Sequence, residues 1–399
     1  MKISPDPLSV KINDLIEQIY PEAVRLRRII HQNPELSGQE YETAKLVYKY
    51  LREIGLKPDY HLNKTAVTSV IRNGRGKTVA LRADMDALPI TEETGLKFSS
   101  CKAGVMHACG HDMHTATLLG AASVLNRIKD SFNGTVLLIF QPSEEVEPGG
   151  AIGLIKSGAF PGNTNAVFGL HVSTDHFSGE IGLKEGADYA GIVNFDVKVK
   201  GKGAHGATPE KSVDPIVCAA SMVTALQTLV SRETSTFTPA ILSIGTIHAG
   251  TLRNIIPDQA LFQGTLRSHS KECLHYFVKR IKEMCRQIAS SYRTTAEVSF
   301  QESYPPSFND PEITTRFSNS FSSLFGNSAL VQREKPTMYA EDFSYYQQKT
   351  PGLYIHLGVK PVGRKFNGCG IHSSGFTPDE TAIKTGIASH VAFACELLK

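Results

Sequence analysis

Nowhere in these 399 residues do cysteine and histidine follow the close paired spacing of a zinc finger, which excludes a structural metal clip of that kind. Long apolar runs are missing as well. The longest, such as Val136 to Phe140, are strand-length and far too short to cross a bilayer. Residues 1–7 carry no apolar core of signal-peptide type, so a cytoplasmic protein with no membrane partner is expected. Charge of one sign is scarce in excess. The balance of 42 Lys+Arg against 39 Asp+Glu leaves +3, too weak and too evenly spread to imply a nucleic-acid partner. Internal repeats and low-complexity tracts are absent. The seven cysteines are odd in number and irregular in spacing, which excludes a disulfide framework and reads as free thiols in a reducing compartment. Cys218, Cys285 and Cys395 fall in helical patterns and are expected as small core residues.

What is present is a globular composition, 41% hydrophobic and 20% charged, in a chain longer than one core usually serves. Apolar residues from Val10 to Asn33 recur at helical spacing, with Pro21 expected to break or restart the helix. A second helix is predicted from about Gln39 to Ile54. Strands are predicted at Ala66 to Arg72, Thr78 to Ala83, Thr135 to Phe140 and Ala166 to Leu170, with helices at His114 to Ile128 and from Ala151. This alternation implies an α/β domain whose sheet is mainly parallel with helices on both faces. The pattern changes near Ala187. Strand, helix, strand, strand, helix and strand then follow between Ile192 and Glu302, the order of a ferredoxin-like α+β sandwich. Residues 187–304 are therefore read as an insertion dividing a domain made of 1–186 and 305–399.

Potential metal ligands lie scattered along the first of these domains. Cys109 and His111 fall in the run His107 to His114, where three His, one Cys and one Asp are costly to bury without a metal or hydrogen-bond partners. Glu144 and Glu145 follow a predicted buried strand, at the end where open α/β sheets hold ligands. Adjacent carboxylates can divide the work, one binding a metal and one taking a proton from water. His171 follows another predicted strand, and His372 lies in a small-residue loop between Gly368 and Gly375. Each alone is as readily a structural residue; all arriving at strand ends by chance is much less probable. Asp86, in a strand-terminal pair with Asp84, has the position to orient a histidine ligand, or to cap a turn. In the insertion, His205 sits in a Gly-rich turn and could donate to a developing oxyanion. Asn254 and Arg267 could meet a substrate carboxylate, for which the planar guanidinium fork is suited.

Together, Leu81 to Pro89, Cys109 to His114, Phe140 to Glu145, Gly169 to Val172, Gly203 to Ala207 and Ala340 to Phe343 resemble amidohydrolases of the aminoacylase/carboxypeptidase superfamily. The branch they resemble contains hippurate hydrolases, N-acyl-amino-acid amidohydrolases and plant auxin-conjugate hydrolases. The resemblance implies that Cys109, His111, Glu145, His171 and His372 hold two divalent ions, with Glu144 as general base and Asp86 and Asp112 supporting the ligands. A thiolate ligand suits Mn, Zn, Co or Ni better than Mg or Ca, with Mn or Zn preferred on family grounds. The insertion becomes a lid that also forms a homodimer, or a tetramer built from it, with His205 reaching the partner subunit's site. Asn254 and Arg267 match lid positions near the substrate's carboxylate. The implied reaction is hydrolysis of an N-acyl amino acid to a carboxylic acid and a free amino acid. A peptidase acting on dipeptides or peptide C-termini shares the same site, and a conjugate-binding protein without catalysis shares the fold. Glu147 and Pro148 stand where the family commonly has a more Gly-rich stretch, which bears on the acyl-group preference.

Overall fold

A computed structural model describes residues 7–363 and 366–399, so residues 1–6 of the N-terminal stretch lie outside the described residues. The chain divides into two compact units, the first comprising Met1–Gly186, Phe308–Lys335 and Asp342–Lys399, the second Ala187–Ser307 and Pro336–Glu341. Residues 305–307 and 336–341, assigned to the first domain in the sequence, group with the second unit. Backbone pairing explains this: Ala190 N donates to Tyr339 O, Thr337 N to Asp188 O and Ser307 N to Tyr189 O.

The first unit is built on an eight-stranded sheet. Its order is Asp59–His61, Ala66–Asn73, Gly134–Gln141, Lys77–Asp84, Ala166–Phe177, Gly352–Lys360, Ile181–Leu183 and Leu330–Gln332. The four central strands from Gly134–Gln141 to Gly352–Lys360 pair in parallel, and the antiparallel pairings lie to either side of them. Every residue of Gly134–Gln141 is buried, as are eight of the nine in Gly352–Lys360, so both faces of the central sheet are covered. The helix His111–Arg127 packs against both Pro7–Gln32 and Ala382–Leu397, and Cys395 is buried in this core.

Pro21 does not break the first helix, which runs unbroken from Pro7 to Gln32. Pro21 and Glu17, whose carbonyl loses its partner, both lie on the exposed face. On the other face Ile12, Ile16, Ile19, Ala23, Leu26 and Ile30 are all buried. Burial of each large side chain contributes about 1.5–3 kcal/mol, which together outweighs the roughly 3 kcal/mol that an internal proline costs.

The second unit carries a four-stranded antiparallel sheet in the order Ala240–Ala249, Gln259–Ser268, Gly191–Lys200, Thr295–Glu302. Helices Pro215–Arg232 and Lys271–Ser291 pack on it, giving the β-α-β-β-α-β order of the ferredoxin-like sandwich. Phe195, Phe262, Phe277, Met222 and Leu226 form its core, with Cys218 and Cys285 among them. Pro215–Arg232 is long and apolar enough, by length and composition alone, to cross a membrane. Its Cys218, Ala219, Met222, Leu226 and Leu229 face the unit's own core, the pattern of a core helix of a sandwich.

Candidate metal and catalytic site

Three sequence-distant segments of the first unit meet at the parallel strands. Gly110 adopts φ +85° just before the helix His111–Arg127, and a Cβ there would meet Val172 Cγ2 at 2.6 Å. That close approach brings Cys109 against the strand carrying His171, with Cys109 Sγ 3.3 Å from His171 Nε2. His171 is not at a strand end as expected from the sequence: the strand continues to Phe177. Beyond Ser173 its burial alternates, so the chain leaves the core while still pairing, and a reading based on continuous apolar residues stops too early. The His372 loop is tied to the same place by a hydrogen bond from its backbone N to Ala108 O, and His372 holds φ +61°, strained for a non-glycine residue.

The five expected ligands fall into two overlapping triads that share one thiol. Cys109, His111 and His171 form one, and Cys109, Glu145 and His372 the other, each with ligand atoms within 4.8 Å of one another. Glu144 joins His111 and Glu145 in a third such group. Glu145 Oε1 lies 3.2 Å from His372 Nε2 and 3.9 Å from His111 Nε2. Cys109, His111, Glu144 and His171 are buried, whereas the His372 side chain is 51% exposed, so the cluster has an open side.

The histidine rings are oriented for ligation. Nδ1 of His171 lies 2.8 Å from the Val172 carbonyl, which can only accept, so that nitrogen carries the proton and Nε2 presents a lone pair toward Cys109. Nδ1 of His111 lies 3.1 Å from Asp86 Oδ1, leaving Nε2 buried with no hydrogen-bond partner. Glu145 Oε1 is likewise buried without a hydrogen bond. Burial, with the Glu145 and Glu144 carboxylates beside it, pushes the Cys109 thiol well above its ordinary pKa. A thiol, imidazole nitrogens and a carboxylate oxygen converge where positive charge is favoured: against the cost of its burial, Asp84, Asp86 and Glu145 push the His111 pKa up to about 10. The residues fit divalent metal ions.

Asp86 occupies a supporting position: besides His111 it accepts from Ser37 Oγ and from the Glu145 backbone N. Asp112, one residue beyond His111 on a helix, is turned about 100° away from it. It instead accepts from Arg27 Nε at 2.7 Å and faces His31 Nδ1 at 2.9 Å. Sequence reasoning passed over Asp84 and His114. Asp84 Oδ1 lies 2.5 Å from His114 Nδ1, Arg82 donates to its other oxygen, and His114 Nε2 accepts from Val172 N. Against the cost of its burial, His111, His114 and Arg82 hold Asp84 well below the usual carboxylate range. The signal was available in strand alternation, which puts Arg82 and Asp84 on one side of Lys77–Asp84. The remaining candidates lie in the second unit. His205 is exposed on the short strand Ala204–His205, paired with Ile255–Ile256, and its Nδ1 accepts from Ala207 N, which leaves the proton on Nε2. Asn254, at the next turn, is exposed, and half-buried Arg267 donates to Met338 O.

Comparison with known proteins places the whole chain. The family model described as Peptidase family M20/M25/M40 matches residues 80–396. Thermostable carboxypeptidase 2 of Saccharolobus solfataricus is 41% identical over 394 residues, covering 96% of this chain and 97% of that protein. N-acetyl-L-cysteine deacetylase of Bacillus subtilis is 39% identical over 363 residues, covering 90% of this chain and 84% of that protein. Among solved structures, the Bacillus subtilis YXEP protein, described as a dinuclear metal binding peptidase from the M20 family, is 33% identical with a TM-score of 0.84, over 96% of this chain and 99% of that one. With the fold, the converging donors and these likenesses in agreement, the chain belongs to peptidase family M20/M25/M40 and is a metal hydrolase of that family.

Proposed function

We propose that this protein hydrolyses the amide bond of N-acyl amino acids, releasing a carboxylic acid and a free amino acid. The observation that carries the reading is the pair of donor triads sharing Cys109, with Glu144 beside them. Two divalent ions, Mn or Zn by preference and Ni or Co as alternatives, would be held by Cys109, His111, Glu145, His171 and His372 and would supply a water acidic enough to attack near neutral pH. Glu144 takes the proton from the attacking water and passes it to the leaving nitrogen. Asp86 keeps the proton of His111 on Nδ1 so that Nε2 remains a lone pair. Residues 187–304 act as a lid and as the homodimer contact. His205 donates through Nε2–H to the developing oxyanion, and Asn254 and Arg267 bind the substrate carboxylate. The cytoplasm is the proposed compartment.

The likeness to a carboxypeptidase favours a second reading, cleavage of short peptides at the same site. Metal-loaded protein assayed side by side on N-acetyl-amino acids, hippurate and dipeptides separates the two. The proposal expects kcat/KM for an N-acyl amino acid to exceed that for every dipeptide. The reverse order transfers the activity to the peptidase reading.

A further inference from the structure

We propose that Glu40 is a positioning residue that fixes the catalytic loop from behind, by holding the backbone of Ser143 so that Glu144 points into the donor cluster. Glu40 stands at the N-terminal boundary of the helix Tyr41–Glu53, yet its side chain does not cap that helix. Glu35 takes over that task, its carboxylate accepting from the backbone N of Glu42 and of Thr43. Glu40 is instead fully buried, and its Oε1 accepts from Gly38 N at 2.9 Å and from Ser143 N at 2.8 Å. Its Oε2 is buried with no hydrogen-bond partner. A carboxyl that leaves one oxygen unsatisfied is a poor choice for packing alone.

Ser143 is the position at which such a restraint has an effect. It holds φ +56°, a left-handed conformation that L residues seldom adopt. Its carbonyl closes the loop by accepting from Gly150 N. A Cβ at Gly150 would meet Pro142 O at 2.0 Å, so the closure tolerates no larger residue. On the other side of Glu144, the backbone N of Glu145 is held by Asp86. Glu144 is thus bracketed by buried carboxyls from different segments, Glu40 at the amide of Ser143 before it and Asp86 at the amide of Glu145 after it. Burial, then the nearby Asp86, pushes the Glu40 pKa up to about 7. What Ser143 requires of Glu40 is an acceptor oxygen, which a neutral side chain also provides.

This inference rests on the proposed role of Glu144, and its test keeps the two separate. Glu40→Gln retains an oxygen at the same reach, whereas Glu40→Asp retains the acid and withdraws the oxygen by one methylene. On an N-acetyl-amino acid, E40D is expected to lower kcat by roughly 100-fold, the loss typical of a misplacement of about 1 Å, with KM and bound metal little changed. E40Q is expected to stay within about threefold of the parent. Amide hydrogen exchange across residues 142–150 of metal-free protein is the second readout. It should accelerate in E40D and match the parent in E40Q, whether or not the substrate has been identified correctly. Equal kcat values or unchanged exchange in E40D overturn the proposal. So does an E40Q variant as impaired as E40D, because the acceptor oxygen would then not be what matters.

Discussion

At the scale of single residues, the adjacent acids divide by surroundings. Glu145 has its backbone N held by Asp86 and its Oε1 next to two histidine nitrogens, the position of a ligand. Glu144 joins a group with His111 and Glu145, and proton transfer is the role proposed for it. Glu144→Gln is therefore expected to lower kcat by about 10²–10⁴ while bound metal stays at the parent value; metal counting beside a rate measurement checks both halves. Loss of metal in that variant would move Glu144 into the ligand set. The residue types and their order were legible in the sequence, because thiol, imidazole and carboxylate recur beside predicted strands. The partner of each was not. Asp112 and His111 are neighbours in sequence but turn to different surroundings, one to Arg27 and His31, the other to Asp86. Glu40, a single acid before a helix, carries no sequence signal separating it from an ordinary cap.

At the scale of elements, periodicity located the long helices and strands, missed two- and three-residue strands such as Asp59–His61, Ile181–Leu183 and Leu330–Gln332, and erred where burial overrides it. Pro21 is tolerated because its missing bond faces water, and the strand of His171 outlasts its apolar run because its last residues are only half covered. The first helix also ends in a buried charge network. The His31 side chain faces Asp112 and Glu92. Burial disfavours its charge, but the two acids prevail and raise its pKa from 6.5. The protonated histidine thus contributes stability that is complete below pH 6.5 and drains as pH rises through the raised value. Glu92 has the opposite sign. Despite its desolvation, His31 and the Ser100 amide hold it at about 2, so its contribution is present above pH 4.5 and is lost as pH falls toward 2. His31→Asn is expected to flatten the fall in Tm between about pH 6 and pH 9, measured on metal-free and metal-loaded protein alike. Parallel Tm curves for parent and variant would show that the network carries no such linkage.

At the scale of the whole molecule, the sequence distinguished a mainly parallel α/β unit from a ferredoxin-like insertion, because hydrophobic period and element order change together near Ala187. Residues 336–341 escaped that reading: they join the second unit through backbone pairing across more than a hundred residues, which no local pattern records. The proposed homodimer makes its own prediction. Inactive His205→Ala and Glu144→Gln proteins, mixed under conditions of subunit exchange, should regain activity, since one mixed site would hold both parent residues; a mixture that stays inactive removes His205 from the partner's site. One shared thiol, Cys109, is proposed to organise a two-ion hydrolytic centre. The direct measurement is titration of Mn or Zn into chelator-treated protein while hydrolysis of an N-acetyl-amino acid is followed. No turnover is expected without metal, and a plateau is expected at two equivalents per chain. Full activity in the metal-free protein, or a plateau at one equivalent, would contradict the two-ion centre.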